Sequence, residues 1–262
     1  MEVLPVPTLQ RLALALTLTI TIGMAAVVMA QQNQRVHLPL LITPPAQPTS
    51  PPAQPSPTPG AQNPTYTGEG TYYLEADGGG NCMFDPTPHD LMVGAMNEQQ
   101  YGNADLCGAY VALTGPKGTI TVRIVDRCPE CKPGDIDLSP QAFDQIAERI
   151  QGRVPISWYI ISPELSGPIA YRFKEGSNQW WTAVQVRNHR NPIAKLEYRD
   201  AGGQWITVNR ERYNYFVQPS GMGPGPYTFR VTDIYGNVLV DSGIPHIEAG
   251  TVNGAGQFPP GP

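Results

Sequence analysis

The sequence predicts an all-β protein built from two successive domains, and three observations carry that reading. From about residue 67 onward, short runs of alternating apolar and polar residues recur, the period of half-buried strands. Gly 27 and Pro 29 stand against only 15% charged residues, a composition of turns and extended chain rather than of helical bundles. Charge divides the chain: residues 67–162 carry 6 basic and 13 acidic side chains, net −7, while 163–262 carry 9 and 8, net +1. Within 262 residues each half is long enough to bury its own core. The overall net charge of −5 and the lack of a dense basic run argue against nucleic acid as a partner.

The first 30 residues read as an export signal. After Arg11 comes the apolar run LALALTLTITIGMAAVVMA, ending in Val28-Met29-Ala30 with small residues three and one before the expected cut. The competing reading is an uncleaved anchor, since Leu12 to Ala30 is just long enough to span a bilayer. Both readings place the remainder outside the cell, and cleavage leaves a mature, extracellular, secreted form without a membrane partner. Residues 31–66 form a Pro-rich linker whose stretch from Thr43 to Thr65 has almost no apolar side chains to bury, which predicts an extended, disordered tether.

Residues 67–162 predict a small β-barrel with one short helix. Ile120, Val122 and Ile124 share one face of a strand over 119–125, preceded by the turn signal Gly115-Pro116-Lys117-Gly118. Further strands read at 70–75, 110–113 and 155–161. A helix starts at Ser139-Pro140, a hydroxyl N-cap with proline behind it; it spaces Phe143, Ile146, Ala147 and Ile150 on one face, and Gly152 ends it. Between strand and helix, a loop gathers Asp126, Glu130, Asp135 and Asp137. Paired carboxylates can cleave glycosidic bonds, and single ones can hold sugar hydroxyls. The plainer roles are an ion pair of Asp126 with Arg127, or a turn cap, and an Asx cap at Asp137.

Cys82, Cys107, Cys128 and Cys131 all fall in this half. In an exported chain they predict disulfides, with three pairings open. A zinc site is the alternative, weakened because only Cys128 and Cys131 have ligand spacing. His37, His89, His189 and His246 show no metal spacing and read as solvated or core-edge residues. No metal or other cofactor is expected.

Residues 163–262 read almost wholly as strands, at 170–174, 182–187, 193–198, 205–208, 227–232 and 238–240, with turns at 201–203 and 235–237. That spacing predicts an immunoglobulin-like antiparallel β-sandwich. In a regular strand Trp180 and Trp181 would face opposite sides; a turn at Gly176-Ser177-Asn178 would let both rings reach the surface and stack on sugars. Trp205, in an alternating run, reads as core, and Tyr215 is ambiguous.

The strings Gly70-Thr71-Tyr72-Tyr73, Val125-Asp126-Arg127-Cys128-Pro129 and Asp137-Leu138-Ser139-Pro140-Gln141-Ala142-Phe143 resemble the double-psi β-barrel of expansins. Its relatives include family-45 endoglucanases and lytic transglycosylases. The run from Tyr171 to Trp181, then 184–189 and 213–217, resembles the carbohydrate-binding domain of bacterial expansins. Together they imply a six-stranded double-psi barrel followed by a sandwich that binds cellulose. The resemblance places Thr71, Asp126 and Asp137 in a polysaccharide-facing groove, Asp137 standing where the hydrolytic relatives keep their general acid. It implies a platform of Trp180, Trp181 and Tyr213 with Lys174 beside it.

Bacterial expansins often have tyrosine where Cys128 stands, which leaves open the aromatic that lines the groove. Because expansins lack the catalytic base, the implied action is non-hydrolytic wall loosening by a monomeric chain on cellulose and related β-glucan chains, with peptidoglycan as a further partner. Glu75 and Asp77 lie near enough in sequence to stand in for that base, but the resemblance to expansins, which lack it, argues against both. The rival readings are a glycoside hydrolase or peptidoglycan lytic transglycosylase using Asp137 as acid, and a purely carbohydrate-binding protein.

Overall fold

The computed structural model describes residues 63–262; the export signal and most of the linker lie outside the described residues. Six strands build the first domain: β1 (Tyr66–Tyr72), β2 (Val93–Asn97), β3 (Tyr110–Gly115), β4 (Gly118–Cys128), β5 (Ile136–Leu138) and β6 (Val154–Ile161). They close into a barrel in the order β1-β5-β2-β4-β3-β6. The pairs β1/β5 and β2/β4 are parallel and the others antiparallel. Strand β1 opens at Tyr66, the last residue assigned to the linker from sequence, because its ring stacks on Trp158 at 4.4 Å. The Trp158 indole in turn donates to the Gly134 carbonyl at 2.7 Å, inside the barrel core.

Three elements differ from the sequence reading. Strand β2 is buried at all five residues, so it shows no alternation to read. The loop drawn between strand and helix contains β5, three residues held on one side by β1 and on the other by β2. The helix covers only Pro140–Ile146 (α2; α1 is the single turn Glu98–Tyr101). Ser139 caps α2 by accepting from the Ala142 amide at 3.0 Å, and Phe143 and Ile146 are buried as expected. The helix stops there because the Ile146 carbonyl takes the Lys117 amide of the β3–β4 turn at 2.9 Å and Ala147 turns extended. Ile150 therefore falls in a separate 3-10 turn and is 96% exposed.

The second domain is antiparallel throughout: β7 (Ala170–Phe173), β8 (Thr182–Arg187), β9 (Ile193–Arg199), β10 (Trp205–Arg210), β11 (Phe216–Gln218), β12 (Tyr227–Asp233), β13 (Val238–Ile244) and β14 (Thr251–Asn253). Hydrogen bonds run in the order β13-β12-β9-β10-β11-β8-β7-β14. The β10–β11 link has only the pairs Asn209–Val217 and Arg210–Phe216. On either side of it two four-stranded halves share one core, with Tyr171 against Phe229 at 4.9 Å and Phe173 against Tyr227 at 5.8 Å. Trp205 is not part of that core. It is half-buried under the Arg230 guanidinium, 4.4 Å from its ring centre, because β10 alternates at the open side of the sheet.

Polar contacts join barrel and sandwich. The Cys82 carbonyl accepts from Gln185 (2.8 Å) and Asn214 (3.3 Å), and the Tyr101 hydroxyl donates to the Arg212 carbonyl at 2.6 Å. Arg210 pairs with Asp105 at 2.5 Å, Arg187 with Asp85, and Glu98 receives both Arg127 (3.1 Å) and Arg212. His189 is fully buried there rather than at a core edge, and burial pushes its pKa down to about 3, so it is neutral. Such bonds are directional, so they set orientation more strictly than apolar contact would.

The cysteines pair as Cys82–Cys107 and Cys128–Cys131. These bridges span 25 and 3 residues of sequence. Loop-closure entropy makes the long bridge worth about 3 kcal/mol and the short one markedly less. Urea unfolding of a Cys82→Ser/Cys107→Ser variant should show that loss and a Cys128→Ser/Cys131→Ser variant a smaller one; the reverse order would contradict this account.

Candidate functional site

Strand register assembles the groove. Thr71 on β1 is paired with Asp137 on β5, Asp137 with Ala95 on β2, and Ala95 with Asp126 on β4. The four residues therefore stand in one row across four neighbouring strands, about 4.8 Å apart strand to strand. The Thr71 hydroxyl donates to Asp137 Oδ1. Beside this row lies a groove of about 510 Å³ lined by Glu69, Thr71, Tyr72, Glu130, Asp137 and Arg153, with the Cys128–Cys131 bridge at its edge; Thr71 and Asp137 line it, whereas Asp126, placed there from sequence, is not among its lining residues. Tyr72 is thus the aromatic of the groove; it packs against Phe143 at 5.0 Å.

The plainer roles drawn from sequence are settled by partners. Arg127 turns its guanidinium to Glu98, and Asp126 Oδ1 accepts instead from the amides of Asn81 (2.6 Å) and Arg127 (2.8 Å). Asp137 is no helix cap, since Ser139 fills that position. Gly80 permits the approach of its loop, because a Cβ there would lie 2.5 Å from Asp126 Cβ. Asp77 caps its own turn by accepting from the Gly79 amide at 2.7 Å, and Glu75 is exposed.

Burial raises the Asp137 carboxyl above the usual aspartate range; the Thr71 hydrogen bond opposes this, while the charges of Glu130 and Asp126 add to it and Arg153 offsets them. Of the other groove carboxylates, Asp135 accepts from the Glu69 amide (2.7 Å) and the Lys132 amide (3.0 Å), and Glu69 pairs with Arg153 at 2.6 Å. Glu130 is exposed and makes no hydrogen bond among the described residues. Tyr73, given no role of its own from sequence, stands close to both aspartates. Its buried hydroxyl has no partner among the described residues, and burial, then Asp126, Asp137 and Asp77, push its pKa up. Only its position directly after Thr71-Tyr72 could have marked it.

A second surface lies on the sandwich. Asn178 Oδ1 accepts from the amides of Trp180 (2.9 Å) and Trp181 (3.1 Å), and Asn178 bridges Trp181 outside any regular strand. Pleat alternation fails at this turn: Trp180 is 69% exposed, and Trp181 lies half-buried on Ala183, Tyr215 and Val217. Tyr213 packs on the same cluster, while Tyr215 beneath it is buried. Lys174 Nζ lies 6.0 Å from the Tyr215 ring centre. Gly221 supports the turn from below; its φ of +75° suits glycine, and a Cβ would come within 2.0 Å of the Gln179 carbonyl.

Fold and site together define a class: a closed six-stranded barrel with an acidic groove, joined to an antiparallel sandwich with an aromatic surface. A family model described as lytic transglycolase matches residues 94–158. Expansin-YoaJ of Bacillus subtilis is 40% identical over 204 residues, covering 74% of this chain and 87% of its own. Expansin-like protein 1 of Dictyostelium discoideum is 26% identical over 68% of this chain and 66% of its own. The crystal structure of a mutant Clavibacter michiganensis expansin in complex with cellohexaose superposes with a TM-score of 0.70 at 35% identity, covering 74% of this chain and 98% of that one. The chain belongs to the expansin family.

Because burial raises its pKa, ionising Asp137 works against folding. That cost is absent below the ordinary aspartate range, grows as pH rises through the interval up to the raised value, and is complete above it. Asp137→Asn keeps an acceptor for Thr71 and escapes the cost. Its melting temperature should exceed that of the parent protein at neutral pH and converge with it in acid; a constant offset across the pH range would show that the carboxyl is not strained by burial.

Proposed function

We propose that this expansin is a secreted, non-hydrolytic protein that adsorbs to cellulose and loosens wall polysaccharide by disrupting non-covalent contacts between glucan chains. The observation that carries the reading is the coexistence of two sugar-compatible surfaces of different chemistry in one chain. One is the exposed Trp180 with half-buried Trp181 and Tyr213; the other is the acidic groove centred on Asp137. Flat aromatic faces suit the apolar faces of pyranose rings, and exposed Trp180 next to half-buried Trp181 and Tyr213 makes a continuous aromatic patch of the kind that marks a binding surface. The mutant Clavibacter relative in complex with cellohexaose supports a glucan as ligand.

In the groove and beside it, Asp137 and Thr71, with Asp126 two strands further along the row, offer acceptors and a hydroxyl to sugar. A hydrogen bond exchanged for another is worth only about 0.5–1.5 kcal/mol net, so these groups can replace chain-to-chain bonds one at a time without breaking a covalent bond. Inverting hydrolysis asks for a second free carboxylate roughly 6.5–9.5 Å away with room for water. Asp135 spends both oxygens on backbone amides, Glu69 is tied to Arg153, and Asp126 Oδ1 already holds two amides. These engagements favour grip over cleavage.

One set of observations favours a second reading, a lytic enzyme. The Asp137 carboxyl is raised in the manner of a general acid, Glu130 stands unengaged at the groove, and the matching family model is described as lytic transglycolase.

The aromatic surface is tested by cellulose pull-down. A Trp180→Ala/Trp181→Ala variant should lose about 2 kcal/mol of binding, roughly 30-fold in affinity; unchanged retention removes these rings from the site. The groove is tested by creep of a heat-killed wall strip under constant load, with reducing ends assayed in parallel. The parent protein should extend the strip without releasing sugar, and Asp137→Asn should not extend it. Sugar or anhydro products lost with Asp137→Asn would establish the lytic reading, and adsorption without creep would leave only a binding protein.

A further inference from the structure

Arg123, at mid-strand on β4, is a charged group without a partner. It is half-buried, its side chain makes no hydrogen bond or ion pair among the described residues, and its Nε is sealed from solvent with nothing to donate to. Its guanidinium lies 4.0 Å from the centre of the Phe84 ring, and Arg187 approaches the same ring at 5.9 Å. Arg187 is already engaged, with Asp85, with Gln185 at 2.5 Å and with the Met83 carbonyl at 3.1 Å. A cation–π contact offsets part of the cost of burying a guanidinium but satisfies none of its five N–H donors. A guanidinium drawn partly out of water and left without a counterion is costly, and its fork-shaped donors match a carboxylate.

The surroundings supply room and further donors. Arg123, Tyr110 and Thr87 line both of two hollows, of about 260 and 300 Å³. The first is completed by Phe84 and Asp85 of the barrel and by Arg187, Asn188 and His189 of the sandwich, so the two domains build it jointly. The charged groups facing Arg123 are Arg187, already held by Asp85, and Asp90, which lines the second hollow and makes no ion pair with Arg123. His189 is neutral. The terminal guanidinium nitrogens, unlike Nε, are not sealed and can be reached from the hollows.

We propose that the hollow at Arg123 is a carboxylate-binding site, separate from the groove of Asp137, in which the guanidinium fork takes the two carboxylate oxygens and Tyr110, Thr87 and Asn188 contact the rest of the ligand. An acidic sugar residue and a free organic acid present the same group. The site does not depend on the cellulose reading; a protein that failed to retain cellulose would still meet the test below.

The test titrates the protein with digalacturonate, acetate and cellobiose at neutral pH, followed by NMR of the Arg123 side chain and the Tyr110 amide. Digalacturonate should shift both resonances saturably and cellobiose should not. Arg123→Gln should weaken digalacturonate at least tenfold, with Arg123→Lys, which keeps charge but loses the fork, in between. Digalacturonate binding more tightly than acetate assigns the site to acidic sugars; equal binding assigns it to free organic acids, and either result supports the carboxylate site. If Arg123→Gln does not fold, the lysine variant carries the comparison. Shifts by cellobiose as large as those by digalacturonate, no shift by either acid, or full affinity in the variants would overturn the proposal.

Discussion

The groove depends on a three-residue strand. Asp137 is where it is because β5 is clamped in parallel to β1 and antiparallel to β2, which sets Thr71 on one side of it and Ala95 on the other. Both ends of β5 are secured: the Asp135 side chain holds the Lys132 and Glu69 amides before it, and the Ser139 amide donates to the Val93 carbonyl at 3.0 Å after it. A shift of one residue would turn Asp137 into the barrel core and Ile136 or Leu138 into the groove.

The second aspartate is coupled to the sandwich through one loop. Asn81 donates its amide to Asp126 and its side chain to the Tyr101 hydroxyl (2.7 Å) and the Arg212 carbonyl (2.8 Å), directly before Tyr213. The next residue, Cys82, ties that loop to Cys107 and offers its carbonyl to Gln185 and Asn214. Groove and aromatic surface are thereby linked by a short path of hydrogen bonds. Each bond in that path is directional, so it holds the two surfaces in a fixed relation.

How much of this was legible in the residues varies with the kind of signal. Alternation revealed β4, β6 and most of the sandwich strands, because each has one face in a core and one outside. The same signal was silent for β2, buried at every residue, and for β5, too short to show a period. The helix was legible at its start, where Ser139 and Pro140 act locally. It was misread at its end, where the β3–β4 turn captures the Ile146 carbonyl from a distant part of the chain.

The site divides in the same way. Residue type and order alone determined the β architecture and the disulfide chemistry, because these are properties of composition and spacing, and marked Asp126, Asp137, Trp180 and Trp181; the resemblance to expansins added Thr71, Tyr213 and Lys174 as candidate contacts. Tertiary structure decided that Thr71 bonds Asp137, that Asp126 is anchored by amides rather than by Arg127, that the turn at Asn178 brings Trp180 outward, and that Arg123 is half-buried without a counterion. Each of those outcomes depends on which strands become neighbours and on how much solvent remains between them, and neither quantity is local to any stretch of the chain.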